Sequence, residues 1–171
     1  MIKIKKFTAT EIEFKELARL DNLINHDSID HPEDDKRSWA IRDKSLIRDR
    51  FLLYSDDFLI GAIYYSQGRD ENRRTVFFTL NIDPKFNTQK SRELLYFEML
   101  KEVDKFKCNK ILTTIYEHSN YDVLKGFLIE KKFNLVQRNR EYLCDIRKVD
   151  IKKYEPLIMS LESEGVRFLD S

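Results

Sequence analysis

One switch of period in the middle of the chain constrains the fold more than any other feature. Residues 74–83 (RTVFFTLNID) alternate, with Val76, Phe78, Leu80 and Ile82 on one face and Phe77 on the other, which is the period of a β-strand. Pro84 ends that run, because proline has no N–H to give to a ladder. From about residue 89 to 105 the period lengthens, and Leu95, Met99, Val103 and Phe106 fall on one helical stripe. A strand that runs straight into a helix of this length predicts a crossover connection, so this half of the chain reads as α/β.

Upstream, the pattern is antiparallel. The runs RFLLYS (50–55) and FLIGAIYYS (58–66) flank Asp56–Asp57, a tight-turn signal, and predict a hairpin. Ile2, Ile4 and Phe7 place a strand over 1–7. Thr10 followed by Glu13 is a capping-box pattern, and Ile12, Leu17, Leu20, Leu23 and Ile24 carry a helix to about 25. An acidic connector over 26–36 contains Pro32, and a second helix covers about 33–45 with Trp39 and Ile41 apolar. Downstream, KILTTIY (110–116) reads as a buried strand and 121–131 as a short helix. A long strand or bent pair of strands spans 133–146, and a helix over about 150–163 stops at Gly165 before VRFL (166–169) begins another strand. The order predicts a mixed sheet, antiparallel early and joined through helices later.

Composition excludes several classes of function. A length of 171 residues and an apolar share of 42% suit one folded domain. The net charge is +1 with no basic stripe, so no nucleic-acid partner is expected. No apolar stretch approaches the ~18 residues of a membrane span, and MIKIKKFT lacks a signal-peptide core. Cys108 and Cys144 lie far apart, which suggests a cytoplasmic protein with structural thiols. His26, Asp27, Asp30, His31, Asp34 and Asp35 invite a metal reading, but histidines five apart beside Pro32 match no usual zinc spacing, so no metal is expected. No P-loop, dinucleotide fingerprint or Ser-His-Asp order is present.

The stretch 80–133 resembles the cofactor half of the GCN5-related N-acetyltransferases (GNAT). In that family the fourth strand ends at a V-x-P-like turn, and a loop of the form R/Q-x-x-G-x-G/A opens the next helix. Leu80-Asn81-Ile82-Asp83-Pro84 fits the strand end and Phe86 the aromatic position before the loop. Asn87 stands where the family's Arg or Gln begins, and Thr88, Lys90 and Arg92 occupy the glycine-rich stretch. The resemblance implies an α/β acyl-CoA N-acyltransferase fold, a GNAT-like mixed central β-sheet flanked by helices, over residues 1–149. It implies acetyl-CoA as cofactor, held along Leu80, Asn81 and Ile82, around Asn87, Thr88, Gln89, Lys90, Ser91 and Arg92, and at Asn120 after the fifth strand. The family places pyrophosphate on N–H groups at a helix start, where glycines permit close approach. Lys90 and Arg92 either compensate through charge-assisted contacts or decorate a solvated loop.

A second stretch fits the family pattern N-x-x-A-x-x-L-Y-x-K-x-G-F. Phe127-Leu128 falls on its L-Y pair and Lys132-Phe133 on its G-F, so Leu128 stands where the family keeps a tyrosine general acid. Tyr121 is a nearby substitute. The run 150–171, a helix and a strand, resembles the junction between the halves of tandem members, so it serves as a linker to a second GNAT copy or completes a sheet edge.

The implied reaction moves an acetyl group from acetyl-CoA to a primary amine of a small molecule or peptide. The fourth and fifth strands would part, and a backbone N–H near Asn81–Asp83 would polarise the thioester carbonyl. An amine of pKa ~10 needs a base, and Glu117 and His118, just past the fifth strand, are the candidates. The acidic connector would border the acceptor groove and attract a basic substrate. Of Tyr64 and Tyr65, on opposite faces, one is core and the other lines the groove. The alternative is a catalytically degenerate GNAT-fold domain that binds acyl-CoA weakly or serves as a scaffold or dimerisation module, as a homodimer or beside a second copy. It rests on the missing glycines and on Leu128.

Overall fold

The computed structural model describes residues 1–25, 29–68, 74–106, 108–115, 121–137, 156 and 159–160. The chain divides into two compact units, Met1–Phe133 and Asn134–Ser171. In the second unit Pro156, Met159 and Ser160 are helical, within the helix expected over 150–163. Residues 133–137, expected to begin a strand, carry no regular structure. The strand expected beyond 137, Cys144, Gly165 and the VRFL run lie outside the described residues.

The first unit holds β1 (Ile2–Lys6), α1 (Glu11–Ile24), α2 (Pro32–Ala40), β2 (Arg48–Ser55), β3 (Phe58–Gln67), β4 (Thr75–Ile82), α3 (Gln89–Asp104), β5 (Lys110–Thr113) and α4 (Tyr121–Glu130). The five strands form one sheet in sequence order. The first three pairings are antiparallel and β4–β5 is parallel, so the sheet is mixed as the crossover through α3 requires.

Local chemistry sets these elements. Thr10 caps α1: its hydroxyl accepts from the Glu13 N–H, while the Glu13 carboxylate accepts the N–H groups of Thr8 and Thr10. The buried stripe of α1 is Phe14, Leu17, Ala18, Leu20 and Ile24, while Ile12 and Leu23, expected on it, are exposed. Residues one or two apart do not share a helix face, so Phe14 and Ile24 displace these neighbours. Pro32 opens α2, where its missing N–H costs nothing. That helix stops at Ala40, short of the expected 45; Trp39 packs edge-on against Phe7, and Ile41 is exposed. Asp56 turns the β2–β3 hairpin at φ 54°, a conformation aspartate tolerates. Phe106, expected on the α3 stripe, lies beyond the end of the helix and is exposed, whereas Leu95, Met99 and Val103 are buried.

The sheet separates two apolar clusters. On one side Ile60, Ile63, Val76, Phe78 and Leu80 pack with Leu95 and Met99 of α3 and Phe127 of α4. On the other, Leu52, Leu59 and Ala62 pack with Phe14, Leu17 and Leu20 of α1. No helix among the described residues is long and apolar enough to cross a membrane.

Candidate functional site

β4 and β5 part midway. β4 and β5 run in register from Thr75–Lys110 to Phe78–Thr113, where β5 ends while β4 continues to Ile82. The Thr113 hydroxyl donates to the Phe78 carbonyl at 2.8 Å and closes the last shared position. On the other edge of β4, the Asp83 N–H donates to the Ile60 carbonyl at 2.9 Å. Antiparallel ladders alternate bonded and non-bonded pairs, so the backbone groups of Asn81 and Asp83 belong to β3. Those of Leu80 and Ile82 face the side that β5 has left. Within the Asn81–Asp83 stretch expected to polarise a carbonyl, Asp83 is therefore engaged with β3 and Ile82 faces the fork. A cavity of about 80 Å³ occupies the fork, walled by Asn81, Ile82, Asn87, Thr113, Leu124 and Leu128 among others.

The start of α3 faces this cavity through Asn87, and its first N–H groups are largely satisfied from within. Thr88 donates its N–H to the Phe86 carbonyl at 2.8 Å, and its hydroxyl accepts from the Ser91 N–H at 3.2 Å. The Arg92 N–H donates to the Thr88 carbonyl at 3.2 Å. The N–H groups of Gln89 and Lys90 are the ones that a helix start leaves outward. Ser91 is buried, and its hydroxyl lies 2.9 Å from that of Thr88. Arg92 folds back: its Nη1 donates to the Asn87 carbonyl at 3.0 Å and to Asn87 Oδ1 at 2.7 Å. Burial lowers its pKa, and its cation lies 5.7 Å from the Phe127 ring. Lys90 is exposed. The Gln89 amide reaches Glu93 at 3.4 Å.

Tyr121 opens α4, and Leu128 lines the fork at 9% exposure. Leu128 carries no proton to give. The helix ends with Lys132 at φ 64°, where the family pattern has glycine; Lys132 donates its N–H to Ile129 and Phe133 to Leu128. Glu117, His118 and Asn120 lie outside the described residues, as do His26 and Asp27.

A polar network covers the α1 side of the same strand. The Asn81 amide donates to Asp21 Oδ1 and the Tyr64 hydroxyl to Asp21 Oδ2, both at 2.7 Å. Burial pushes Asp21 up to about 6 from its ordinary 3.8, against the pull of those two hydrogen bonds. Tyr64 is itself raised well above the ordinary tyrosine range, first by burial and then by the Asp21 charge. Next to it, Arg50 is 3% exposed and grips Asp35 through both terminal nitrogens, at 2.5 and 2.6 Å. Its guanidinium sits among the rings of Phe7, Trp39 and Tyr64. Tyr65 is core and stacks on Phe51, Tyr64 joins the α1-side network, and both line the groove, so the expected division of roles does not hold. The carboxylate of Asp35 is thus committed within the protein. Among the described residues no group of three His, Cys, Asp or Glu side chains could hold a metal ion.

The sequence marks neither Asp21 nor Arg50 as a site residue, and marks Asp35 only as one carboxylate of the acidic connector. Arg50 is the last charge of β2 before the apolar run Phe51–Tyr54, and a charge that enters a buried run is a signal for an ion pair. Beside this network a groove of about 520 Å³ is lined by Ser38, Arg42, Arg48, Arg50, Tyr64 and Thr79, among others. Phe78 and Thr79, at the middle of β4, line both the groove and the fork.

No family sequence model matches the chain, and no curated protein matches it by sequence. Solved structures match it by fold. An aminoglycoside acetyltransferase from an uncultured soil metagenomic sample, in complex with trehalose, superposes with a TM-score of 0.65 at 11% identity, covering 84% of this chain and 97% of its own. AAC(6')-Iy, in complex with the bisubstrate analog CoA-S-monomethyl-acetylneamine, gives 0.62 at 15% identity, covering 85% and 99%. A GNAT-family acetyltransferase from Streptococcus pneumoniae gives 0.59 at 16% identity, covering 84% and 98%. The chain therefore has the GNAT fold, a mixed five-stranded sheet flanked by helices.

Proposed function

We propose that this chain is an N-acyltransferase of the GNAT type that moves an acetyl group from acetyl-CoA to a primary amine. The observation that carries this reading is the fork: β4 keeps the backbone groups of Leu80 and Ile82 facing a cavity after β5 has ended. A fold neighbour bound to a bisubstrate analog built on CoA supports the choice of cofactor.

The residues present fit such a cofactor in two places. Leu80 and Ile82 offer N–H and C=O groups to an amide-bearing arm lying along β4, much as a missing strand would. At the start of α3, the N–H groups of Gln89 and Lys90, the helix dipole and the Lys90 ammonium suit a diphosphate. Bound acetyl-CoA supplies an activated acyl thioester. The Ile82 N–H would be the donor that stabilises negative charge on the thioester carbonyl oxygen. Asp21 positions the Asn81 amide at the edge of the fork. Glu117 and His118, which follow β5, take the proton of the incoming ammonium. Tyr121 is assigned the acid role that Leu128 cannot fill.

Two features favour a second reading, a degenerate domain that binds acyl-CoA weakly: the self-capped start of α3 and the aliphatic Leu128. Melting with and without acetyl-CoA separates the two. Ligand at ~100 times its dissociation constant should stabilise the fold by about 2.7 kcal/mol, and no shift at millimolar acetyl-CoA would sink the transferase. Replacing Lys90 and Arg92 together by glutamate should abolish that shift. An unchanged shift in the double variant would remove any role for these two cations in holding the cofactor.

A further inference from the structure

Three arginines line the groove beside the network, and they differ in what holds them. Arg50 has its fork filled by Asp35. Arg42 donates to the Trp39 carbonyl at 2.6 Å and lies on the Trp39 ring at 4.0 Å. Arg48, half-buried, directs both terminal nitrogens at one neutral oxygen, Ser38 Oγ, each at 3.3 Å. Among the described residues no carboxylate lies within ion-pair distance of Arg42 or Arg48. Asp49, beside the groove, is held by Lys6 at 2.7 Å, and exposed Asp43 accepts the Ser45 N–H at 2.9 Å. Burial first, then the neighbouring Arg50 charge, lowers the pKa of Arg48, while the Asp35 charge opposes the shift.

A planar guanidinium with two parallel N–H groups and only a shared hydroxyl is matched by the two oxygens of a carboxylate or phosphate. We propose that Arg48, with Ser38, grips an anionic oxygen group on the acceptor, and that the acceptor is a small amine bearing a carboxylate or phosphate at its other end. Calling this molecule an acceptor rests on the acyl-transfer reading; the anion site rests on the groove alone. Thr79 lines both cavities, which gives the acceptor's amine a direction from Arg48 toward the fork. A polycation such as sisomicin, bound by one fold neighbour, would meet like charge here.

Calorimetric titration of the full chain with O-phosphoethanolamine, γ-aminobutyrate and putrescine tests this. The first two should bind and putrescine should not; the tighter of the two identifies phosphate or carboxylate as the preferred group. Arg48→Gln should weaken both by at least about tenfold while acetyl-CoA binding is unchanged, and Arg48→Lys should recover part of the loss. If Arg48→Gln melts early, Ser38→Ala should still weaken the anionic probes about threefold. Putrescine binding as tightly as the anionic probes, or anionic probes binding equally to Arg48→Gln and wild type, overturns the proposal. Anionic probes that bind while acetyl-CoA does not uphold the groove and sink only acyl transfer. Acetyl-CoA that binds while neither anionic probe does has the opposite meaning.

Discussion

The two faces of the sheet are built from different materials. The face toward α3 is dry: Ile60, Ile63, Val76, Leu95 and Met99 are all but fully buried and carry no hydrogen-bonding side chain. The face toward α1 has an apolar cluster of its own but is wired as well, with Asp21, Tyr64, Asn81, Asp35 and Arg50 in hydrogen bonds between separate elements. β4 serves both at once, sending Phe78, Leu80 and Ile82 into the dry core and Asn81 into the network. The dry face sets stability through area removed from water. The wired face fixes directions, since each hydrogen bond holds one geometry, and this is the face on which acceptor chemistry is proposed.

The largest effect is expected from cutting the wire. Asp35→Ala leaves Arg50, 4% exposed at its side chain, without its counter-charge, and should cost about 3–5 kcal/mol in urea unfolding. A loss below ~1 kcal/mol would mean that Arg50 is rehydrated easily and that the contrast between the faces is shallow. A cut in the dry face, Met99→Ala, should cost about 2–5 kcal/mol and leave the pH dependence of stability unaltered.

Asp21 sharpens the contrast through pH. The unfolded chain releases its proton near 3.8, but the folded protein keeps it to about 6. The stability linked to this group is therefore full below 3.8 and is lost as pH rises through about 6. At ~1.4 kcal/mol per pH unit the gap between those values amounts to roughly 3 kcal/mol. Asp21→Asn should remove that slope between pH 4 and 7 in denaturation curves. A variant that retains the wild-type slope would place the titration elsewhere. The smallest effect is expected at a turn that belongs to neither face: Lys132→Gly relieves a φ of 64° and should raise stability by at most about 1 kcal/mol in thermal melts. Destabilisation by the same change would show that the lysine side chain outweighs its backbone strain.

What was legible in the sequence follows the same division. The dry face announces itself by period: Val76, Phe78, Leu80 and Ile82 alternate, Leu95, Met99 and Val103 recur, and all are buried. Thr10 and Glu13 specify the start of α1 by local chemistry alone. Ile12 and Leu23 mislead because hydrophobicity does not say which of two apolar residues one or two positions apart wins the buried stripe. The wired face is nearly invisible in one dimension. Asp21 and Asn81 are sixty positions apart, and nothing local tells that they pair. The carboxylates of the acidic connector were expected to draw a basic substrate, yet Asp35 turns inward to Arg50, and the groove beside it is lined with cations. Only the sheet register, which sets Arg50 opposite Tyr64, brings these groups together.

The hydroxyl of Thr88 already occupies the Ser91 N–H at the threshold of α3. A diphosphate held there as proposed would find only the Gln89 and Lys90 N–H groups unclaimed, because residue 88 keeps a third donor for itself. Losing that one hydroxyl would enlarge the anion cradle without touching either strand of the fork.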